Sequence, residues 1–279
     1  MKSGKSVKEA FDLSGRVAII TGGAGLLGVK HGEAVAEMGG IPVLLDLNGD
    51  AASNRAAGLS ETYGGPALGL GCDITSPEQL TEARDRIIEN FGGIHILINN
   101  AANNPKMENR EDKNFSRLEN FPLDIWNQDI AVGLSGAFLC AQVFGSHMAE
   151  AGQGAILNVA SDLGLIAPDQ RLYRQDGIAD DKQPVKPVTY SVVKSGLIGL
   201  TRYLATYWAD CGVRANAIAP GGVHTDQDDV FVQRLSNLIP MGRMADQDEY
   251  KAAVAFLVSD ASSYMTGSVL AMDGGRTCW

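Results

Sequence analysis

The chain has 279 residues, of which 45% are hydrophobic and 20% are charged, a composition typical of a globular protein. Its formal net charge of −10 argues against nucleic acid as a partner, because a phosphate backbone repels an acidic chain. The cysteines are widely spaced, so we expect reduced thiols in a cytoplasmic protein. They are Cys72, Cys140, Cys211 and Cys278.

The amino-terminal residues 1–15 are polar and lack the apolar core of a secretion signal. We find no apolar run that approaches the length of a membrane-spanning helix, and we therefore expect no membrane partner. The histidines are scattered and predict no metal site. They are His31, His95, His147 and His224.

Seven short apolar runs predict β-strands, and several are apolar throughout, as in strands covered on both faces. They span residues 16–21, 41–47, 67–74, 94–101, 154–161, 214–220 and 268–275. Helical patterns alternate with them, at residues 26–38, 51–63, 77–91, 123–150, 189–212 and 246–259. This alternation predicts an α/β fold in a single domain over residues 1–279, with a doubly wound seven-stranded parallel sheet and helices on both faces.

The first predicted strand runs into a glycine-rich turn, TGGAGLLG at residues 21–28, and a helical pattern follows. Gly23, Gly25 and Gly28 fit G-x-G-x-x-G, which permits a tight turn and close approach of the backbone to a pyrophosphate at a helix amino terminus. In this strand–turn–helix setting the pattern predicts a Rossmann dinucleotide site. Its predicted cofactor contacts are Gly22, Gly25, Leu26, Leu27 and Gly28.

The second and third predicted strands end in carboxylates. Asp46 lies 18 residues past the last glycine of the turn. Its carboxylate can accept both ribose hydroxyls and would repel a 2′-phosphate, and the following Leu47 offers no positive charge. Asp46 therefore predicts NAD rather than NADP as the cofactor. Asp73 and Ile74 could lie at the adenine, although Asp73 could equally cap the next helix with Thr75.

A tyrosine and a lysine stand one helical turn apart in YSVVK. Tyr190 and Lys194 project from one face of a predicted helix. The ammonium would lower the pKa of the tyrosine by stabilising its phenolate, and it could also donate to the nicotinamide ribose. Ser161, at the end of the fifth strand, could hold a substrate oxygen beside the phenol. The tyrosine–lysine spacing is common by chance, but the serine and the dinucleotide turn favour catalysis.

Several short motifs, in this order along the chain, resemble the short-chain dehydrogenase/reductase family, mostly its classical branch, over residues 12–275. They are TGGAGLLG, CDI, NNAA, NVASDLG, YSVVK, APGGVHT and DGG. The resemblance implies an oxidoreductase in which Ser161 orients the substrate, Tyr190 is the acid/base and Lys194 activates it. It also implies a homotetramer or homodimer and a lid over residues 226–240. Further implied cofactor contacts are Asn99, Ala101, Pro220, Gly221, Val223 and Thr225.

The chain departs from the family pattern at three positions. Leu26 stands where the classical turn has glycine, so the turn fits the extended branch that includes nucleotide-sugar epimerases. Ala102 replaces the usual glycine of the NNAA motif. The family's catalytic asparagine, seven positions past a tryptophan, corresponds to Gly133, counted from Trp126. The missing amide leaves open which group completes the family's proton relay.

Two polar segments interrupt the alternation, at residues 103–120 and 162–187. The second is an insertion that separates Ser161 from Tyr190 by 29 positions, well beyond the family's usual spacing. Since both its ends are catalytic, it must lie near the active site, as a polar wall for a carbohydrate or as a solvated loop. The candidate substrate contacts are Asn103, followed by Asn104 and Lys106, then Gln170, Arg171 and His224.

These features predict an NAD-dependent oxidoreductase that acts on a secondary alcohol or ketone of a sugar, amino sugar or polyol. The stretches SDLGLIAPDQRLYR and PVKPVTYSVVK look like a bacterial subgroup associated with flagellin modification and nonulosonic sugars. Dehydrogenation of a sugar acid or polyol, of the gluconate 5-dehydrogenase kind, is the close alternative, and a ketoacyl-thioester reductase is disfavoured by Asp46. Two other classes stay open: a nucleotide-sugar epimerase or dehydratase with tightly bound NAD, and a non-catalytic dinucleotide sensor.

Overall fold

One parallel sheet of seven strands organises the computed structural model, which describes residues 5–103 and 116–279. Its strands are β1 Val17–Thr21, β2 Ile41–Asp46, β3 Leu68–Gly71, β4 Ile96–Asn99, β5 Gly154–Val159, β6 Val213–Pro220 and β7 Val269–Met272. The spatial order is β3-β2-β1-β4-β5-β6-β7, so the winding reverses between β1 and β4. The predicted fold class is confirmed. Most strands end earlier than predicted, because the residues that follow leave the ladder to build the site.

Helices cover both faces of this sheet. They are α1 Val7–Ala10, α2 Leu26–Glu37, α3 Gly49–Tyr63, α4 Pro77–Phe91, α5 Leu123–Glu150, α6 Val188–Tyr207, α7 Asp229–Ser236 and α8 Lys251–Val258. On one face α2, α3 and α8 bury residues such as Val35, Leu59 and Leu257. On the other face α4, α5 and α6 bury residues such as Leu80 and Phe144. Burial on both faces accounts for the continuous apolar runs of the central strands.

The long helix α5 corrects one expectation. By length and composition it is the one helix, in the part of the chain that the structure describes, that could cross a membrane. The expectation that no run approaches this length is therefore wrong for residues 123–150. Cys140, Phe144 and Met148 of α5 are fully buried in the core of the sheet. Core packing accounts for this apolar face, and a core helix passes the same test of length and hydropathy.

The insertion at residues 162–187 packs against the predicted lid instead of extending into solvent. Leu172 and Tyr173 join Phe231 and Leu235 of α7 in a small apolar cluster. The rings of Tyr173 and Phe231 lie 5.7 Å apart. The insertion and the lid helix therefore share a core of their own, which the polar composition of the insertion did not indicate.

Some expectations stay predictions after the fold is known. The four cysteines are unpaired, and Cys72 and Cys140 are buried. The cytoplasmic location and the single-domain organisation stay predictions. The candidate contacts Asn104 and Lys106 lie outside the described residues.

Burial of His31 in α2 predicts a loss of stability in acid. Burial lowers the pKa of His31 from 6.5 to about 4. Below pH 6.5 this histidine becomes protonated in the unfolded chain, whereas in the folded chain it stays neutral until about pH 4. We therefore expect His31 to remove up to about 3 kcal/mol of the free energy of unfolding across this range.

Urea unfolding at several pH values between 6.5 and 4 would measure this loss for the wild type and for His31→Leu. The variant should lose less stability on acidification, whereas His224→Leu, which removes an exposed histidine, should follow the wild type. Equal pH slopes for the wild type and His31→Leu would contradict the prediction.

Candidate active site

The turn between β1 and α2 has a shape that glycine allows. Gly22 has a φ of +60°, in the left-handed region. A Cβ at Gly28 would lie 2.1 Å from the carbonyl oxygen of Gly22, so the helix and the turn touch directly. α2 begins after Gly25, which supplies no side-chain cap. The first N–H groups of the helix, from Leu26 and Leu27, therefore lack intrahelical partners and fit a pyrophosphate.

Thr21 and Asn100 tie together the carboxyl ends of β1 and β4, where the winding reverses. The Oγ1 of Thr21 accepts hydrogen bonds from the backbone N–H groups of Asn100 and Ala101, each at 3.0 Å. The side-chain amide of Asn100 donates to the carbonyl oxygens of Thr21 at 2.9 Å and Gly22 at 3.2 Å. Asn100 is absent from the predicted site residues, although the second asparagine of NNAA was the available signal.

The side chain of Asn99 is buried in the core. Its Nδ2 donates to Oδ1 of Asn158 at 2.9 Å, and Nδ2 of Asn158 donates to Oγ1 of Thr201 at 2.8 Å. This buried chain of hydrogen bonds joins β4, β5 and α6. Asn99 therefore supports the sheet beneath the site.

Asp46 lies where a ribose would be held. One carboxylate oxygen accepts from the N–H of Ala24 at 3.1 Å and the other from the N–H of Asn48 at 3.0 Å. An open depression beside it is lined by residues 46–50, which include Asp50 but no lysine or arginine. This acidic surface fits ribose hydroxyls and disfavours a 2′-phosphate.

The predicted residues at the end of β3 serve local structure. Asp73 Oδ1 accepts from the N–H of Thr75 at 2.9 Å and from its hydroxyl at 2.7 Å. These contacts form a local turn before α4, and Ser76 rather than Asp73 caps that helix. Ile74 is buried, and a Cβ at Gly136 of α5 would lie 2.7 Å from its Cδ1.

The loop after β6 follows the sheet edge beside β7. The N–H of Gly221 donates to the carbonyl of Met272 at 2.9 Å, directly after Pro220 ends the strand. Val223 forms a parallel bridge with Ala245. The N–H of Thr225 donates to the side chain of Gln227 at 2.7 Å. These bonds fix the backbone at the predicted nicotinamide motif.

The structure brings Ser161, Tyr190 and Lys194 together at the carboxyl end of β5. Ser161 is buried two residues after β5, and its hydroxyl interacts with that of Tyr190. The Nζ of Lys194 lies 5.8 Å from the centroid of the Tyr190 ring. It donates to the carbonyl oxygen of Val159 at 2.7 Å, which holds the ammonium at the strand end.

Burial reverses the expected shift of the pKa of Tyr190. Removal from water raises this pKa, the charge of Asp162 adds to the rise, and the Ser161 hydroxyl opposes it. Lys194 is not among the causes of this shift, and burial lowers its own pKa to about 8. The phenol is therefore held in its protonated form.

A buried ion pair lies directly beside the catalytic serine. Asp162 Oδ1 accepts from the hydroxyl of Ser161 at 2.8 Å and from the N–H of Leu163 at 2.7 Å. Its Oδ2 lies 2.6 Å from a guanidinium nitrogen of Arg276, and both side chains are less than a tenth exposed. Asp162 and Arg276 were not predicted, because 114 positions separate them.

A second lysine approaches the catalytic tyrosine. The Nζ of Lys186 lies 3.8 Å from the centroid of the Tyr190 ring. Burial lowers the pKa of Lys186 to about 8, and the charge of Asp162 opposes this shift. Lys186 is also absent from the predicted site residues, although it stands four positions before Tyr190 in PVKPVTY.

The position of the missing asparagine is filled by a valine. Gly133 lies in a π-helical turn of α5, Ala131–Ser135, and a Cβ there would be 2.6 Å from Cγ1 of Val193. Asp129, one turn earlier, accepts from the hydroxyl of Thr189 at 2.5 Å. A cavity of about 20 Å³, room for one water molecule, lies here. Its lining includes Asn103, Asp129, Gly133, Lys186, Tyr190 and Lys194.

The predicted substrate contacts occupy different places. Asn103 lines the catalytic cavity. Gln170 is engaged with the backbone, because its Oε1 accepts from the N–H of Lys186 at 2.8 Å. Arg171 is exposed and pairs with Asp169 at 2.6 Å, and His224 is exposed. Within residues 5–103 and 116–279, no cluster of three or more His, Cys, Asp or Glu side chains could hold a metal ion.

Known proteins resemble this chain over nearly its whole length. A family model described as short chain dehydrogenase matches residues 16–173, and one described as Enoyl-(Acyl carrier protein) reductase matches residues 178–277. The chain is 35% identical over 277 residues to D-threitol dehydrogenase of Mycolicibacterium smegmatis, covering 98% of this chain and 96% of that protein. It is 31% identical over 278 residues to NAD-dependent glycerol dehydrogenase of Listeria innocua, covering 98% of both.

A similar solved structure is that of a gluconate 5-dehydrogenase from Burkholderia cenocepacia in complex with NADP and tartrate. Its TM-score is 0.85 at 29% identity, and the match covers 98% of this chain and all of that one. The fold and the order of the motifs are therefore those of a family of dehydrogenases.

Because Val193 lies against Gly133, we predict that an asparagine at position 133, as in the family pattern, would destabilise the protein. Gly133→Asn would overpack this contact and should lower the free energy of unfolding by roughly 1–3 kcal/mol. Adding Val193→Ala should recover most of the loss, because it removes the obstructing methyl groups. Denaturant unfolding would measure both effects.

Gly199→Asn is the matched control, because a Cβ at Gly199 of α6 would meet no atom within 4 Å. It should unfold close to the wild type. A Gly133→Asn variant as stable as Gly199→Asn would contradict the prediction, because it would show that α5 accommodates the side chain without a loss in the free energy of unfolding.

Proposed function

The chain belongs to the short-chain dehydrogenase/reductase family, and we propose that it oxidises a secondary alcohol of a polyol or sugar-like substrate with NAD. The observation that carries the proposal is the meeting of Ser161, Tyr190 and Lys194 at the sheet edge that also carries the glycine turn. The narrower resemblance to the flagellin-modification subgroup stays a prediction.

Each of the three proposed catalytic residues has a separate role in the transfer of one proton from the substrate. Bound NAD supplies the acceptor for the hydride that leaves the carbinol carbon, and a carbonyl group forms as the hydroxyl proton departs. Tyr190 takes that proton on its phenolate oxygen, and Ser161 holds the substrate oxygen. Lys194 and Tyr190 both line the water-sized cavity beside Gly133, so we assign to Lys194 the onward transfer of the proton to a water molecule there. This assignment is supported by the meeting of the buried Ser161 and Lys194 with the half-buried Tyr190.

The charge at the end of β2 supports NAD. Asp46 and Asp50 lie at the open depression that would receive the adenosine ribose, and its lining contains no positive charge. A 2′-phosphate would face these carboxylates without a compensating cation. The relatives differ in their cofactor: the Listeria innocua enzyme is named as NAD-dependent, and the gluconate 5-dehydrogenase structure contains NADP.

The substrate class is supported by the relatives and by the polarity of the cavity. The relatives are named for threitol, glycerol and gluconate, which are small polyhydroxylated molecules. Asn103, Asp129 and Lys186 line the cavity beside Tyr190. The cavity has room for one water molecule, so the substrate would lie outside it, where polar groups at its edge favour hydroxyls over an apolar chain.

We also propose a homotetramer or homodimer. Phe138 of α5 and Tyr203 and Tyr207 of α6 are each about half exposed or more, and the two tyrosine rings stack at 5.5 Å. Exposed aromatic side chains of this kind are enriched at interfaces between subunits. Light scattering during gel filtration would test this, with a multiple of 29.5 kDa expected and a monomer contradicting it.

The central test is a spectroscopic assay at the absorbance of the reduced nicotinamide, with polyols and sugar acids as substrates. We expect activity with NAD to exceed that with NADP, and Tyr190→Phe to lower kcat by several orders of magnitude. Because burial raises the pKa of Tyr190, oxidation should become faster as the pH rises, since more of the phenol is then ionised.

Calorimetric titration with NAD separates binding from catalysis, because Tyr190→Phe should still bind the cofactor. Equal turnover by Tyr190→Phe and the wild type would contradict the role of the tyrosine. A preference for NADP would contradict the role of Asp46.

A further inference from the structure

The backbone around Lys186 is held rigidly. Prolines flank the segment, at Pro184 and Pro187, and restrict its φ angles. The N–H of Lys186 donates to Oε1 of Gln170 at 2.8 Å, and the N–H of Val185 donates to the hydroxyl of Ser116 at 3.1 Å. The insertion therefore positions this lysine.

The ammonium of Lys186 lies beside the proposed catalytic tyrosine. It lies over the ring of Tyr190, 3.8 Å from the centroid, and forms no ion pair with a described carboxylate. The residue is half-buried and lines the same cavity as Lys194. A cation withdrawn from water is costly unless a partner compensates its charge.

The charged side chains near Lys186 do not neutralise its ammonium group. Asp162 is paired with Arg276 at 2.6 Å, so this pair contributes no net charge. Asp129 is the remaining carboxylate of the cavity lining, against the ammonium groups of Lys186 and Lys194. Among the described residues, two ammonium groups therefore face one carboxylate here, although the whole chain has a formal net charge of −10.

We propose that Lys186 binds an anionic group of the substrate, a carboxylate or a phosphate, close along the carbon chain to the alcohol that is oxidised. This inference rests on the proposed function and narrows its substrate class to sugar acids or polyol phosphates rather than neutral polyols. Because the hydroxyl of Tyr190 belongs to the ring beneath the ammonium, an anion on Lys186 would also orient the alcohol towards Tyr190. A charge-assisted hydrogen bond to the ammonium supplies the selectivity.

The test uses a matched series of threitol, threonate and threitol 4-phosphate with NAD. The wild type should have a higher kcat/KM for threonate or for the phosphate than for threitol, and the preferred anion identifies the chemistry. Lys186→Met should lower kcat/KM for that anion about 10- to 100-fold, mainly through KM, and should change the value for threitol less. Lys186→Arg, which keeps the charge, should retain part of the preference.

Lys182→Met is the matched control, because Lys182 is an exposed lysine of the same insertion. It should behave as the wild type with all three compounds. A wild type that prefers threitol, or an anion preference that survives in Lys186→Met, would overturn the proposal.

Equilibrium binding separates this proposal from the proposed function. Calorimetry would measure binding of threonate and of threitol 4-phosphate to the NADH-bound wild type and to the NADH-bound Lys186→Met variant. Binding that depends on Lys186 without turnover of any compound would support the anion site and contradict the proposed reaction. Turnover of threitol, with anion binding absent or unchanged in the variant, would support the reaction and overturn the anion site.

Discussion

The burial of charge at the carboxyl end of β5 is the constraint on which the rest of the active site depends. A charge removed from water destabilises the fold unless hydrogen bonds or an opposite charge compensate it. Lys194 is compensated by the carbonyl of Val159 at 2.7 Å, and Asp162 by the guanidinium of Arg276 at 2.6 Å. Val159 belongs to β5 and Arg276 to the turn after β7, so the protein itself fixes the positions of the charges near Tyr190.

This arrangement differs from the family pattern at two places beside Tyr190, namely at Gly133 and in the insertion. Val193 occupies the space beside Gly133, where the family's asparagine would stand, and the carboxylate of Asp129 lies one turn away on the same helix. The insertion packs on the lid helix α7 and also holds Lys186 over the ring of Tyr190. The added segment therefore connects α7 to Tyr190 through direct contacts.

The sequence could predict the fold because local rules govern it, and the same rules place the proposed catalytic pair on one helix face. Strands covered on both faces must be apolar throughout, and the turn before α2 must be glycine-rich where Gly28 touches Gly22. Tyr190 and Lys194 share a helix face whatever surrounds them. The buried position of the Asn99 side chain could not be read from the sequence, because the motif does not reveal which way a side chain points at the end of a buried strand.

The sequence by itself determined the alternation of strands and helices, the dinucleotide turn and the helical pairing of Tyr190 with Lys194, since each depends on neighbours a few positions apart. Only the tertiary structure decided which charges are buried together. Asp162 and Arg276 are 114 positions apart and meet only because β5 and the segment after β7 reach the same edge of the sheet. It also decided the direction of the shift in the pKa of Tyr190, because burial depends on everything that packs around the phenol.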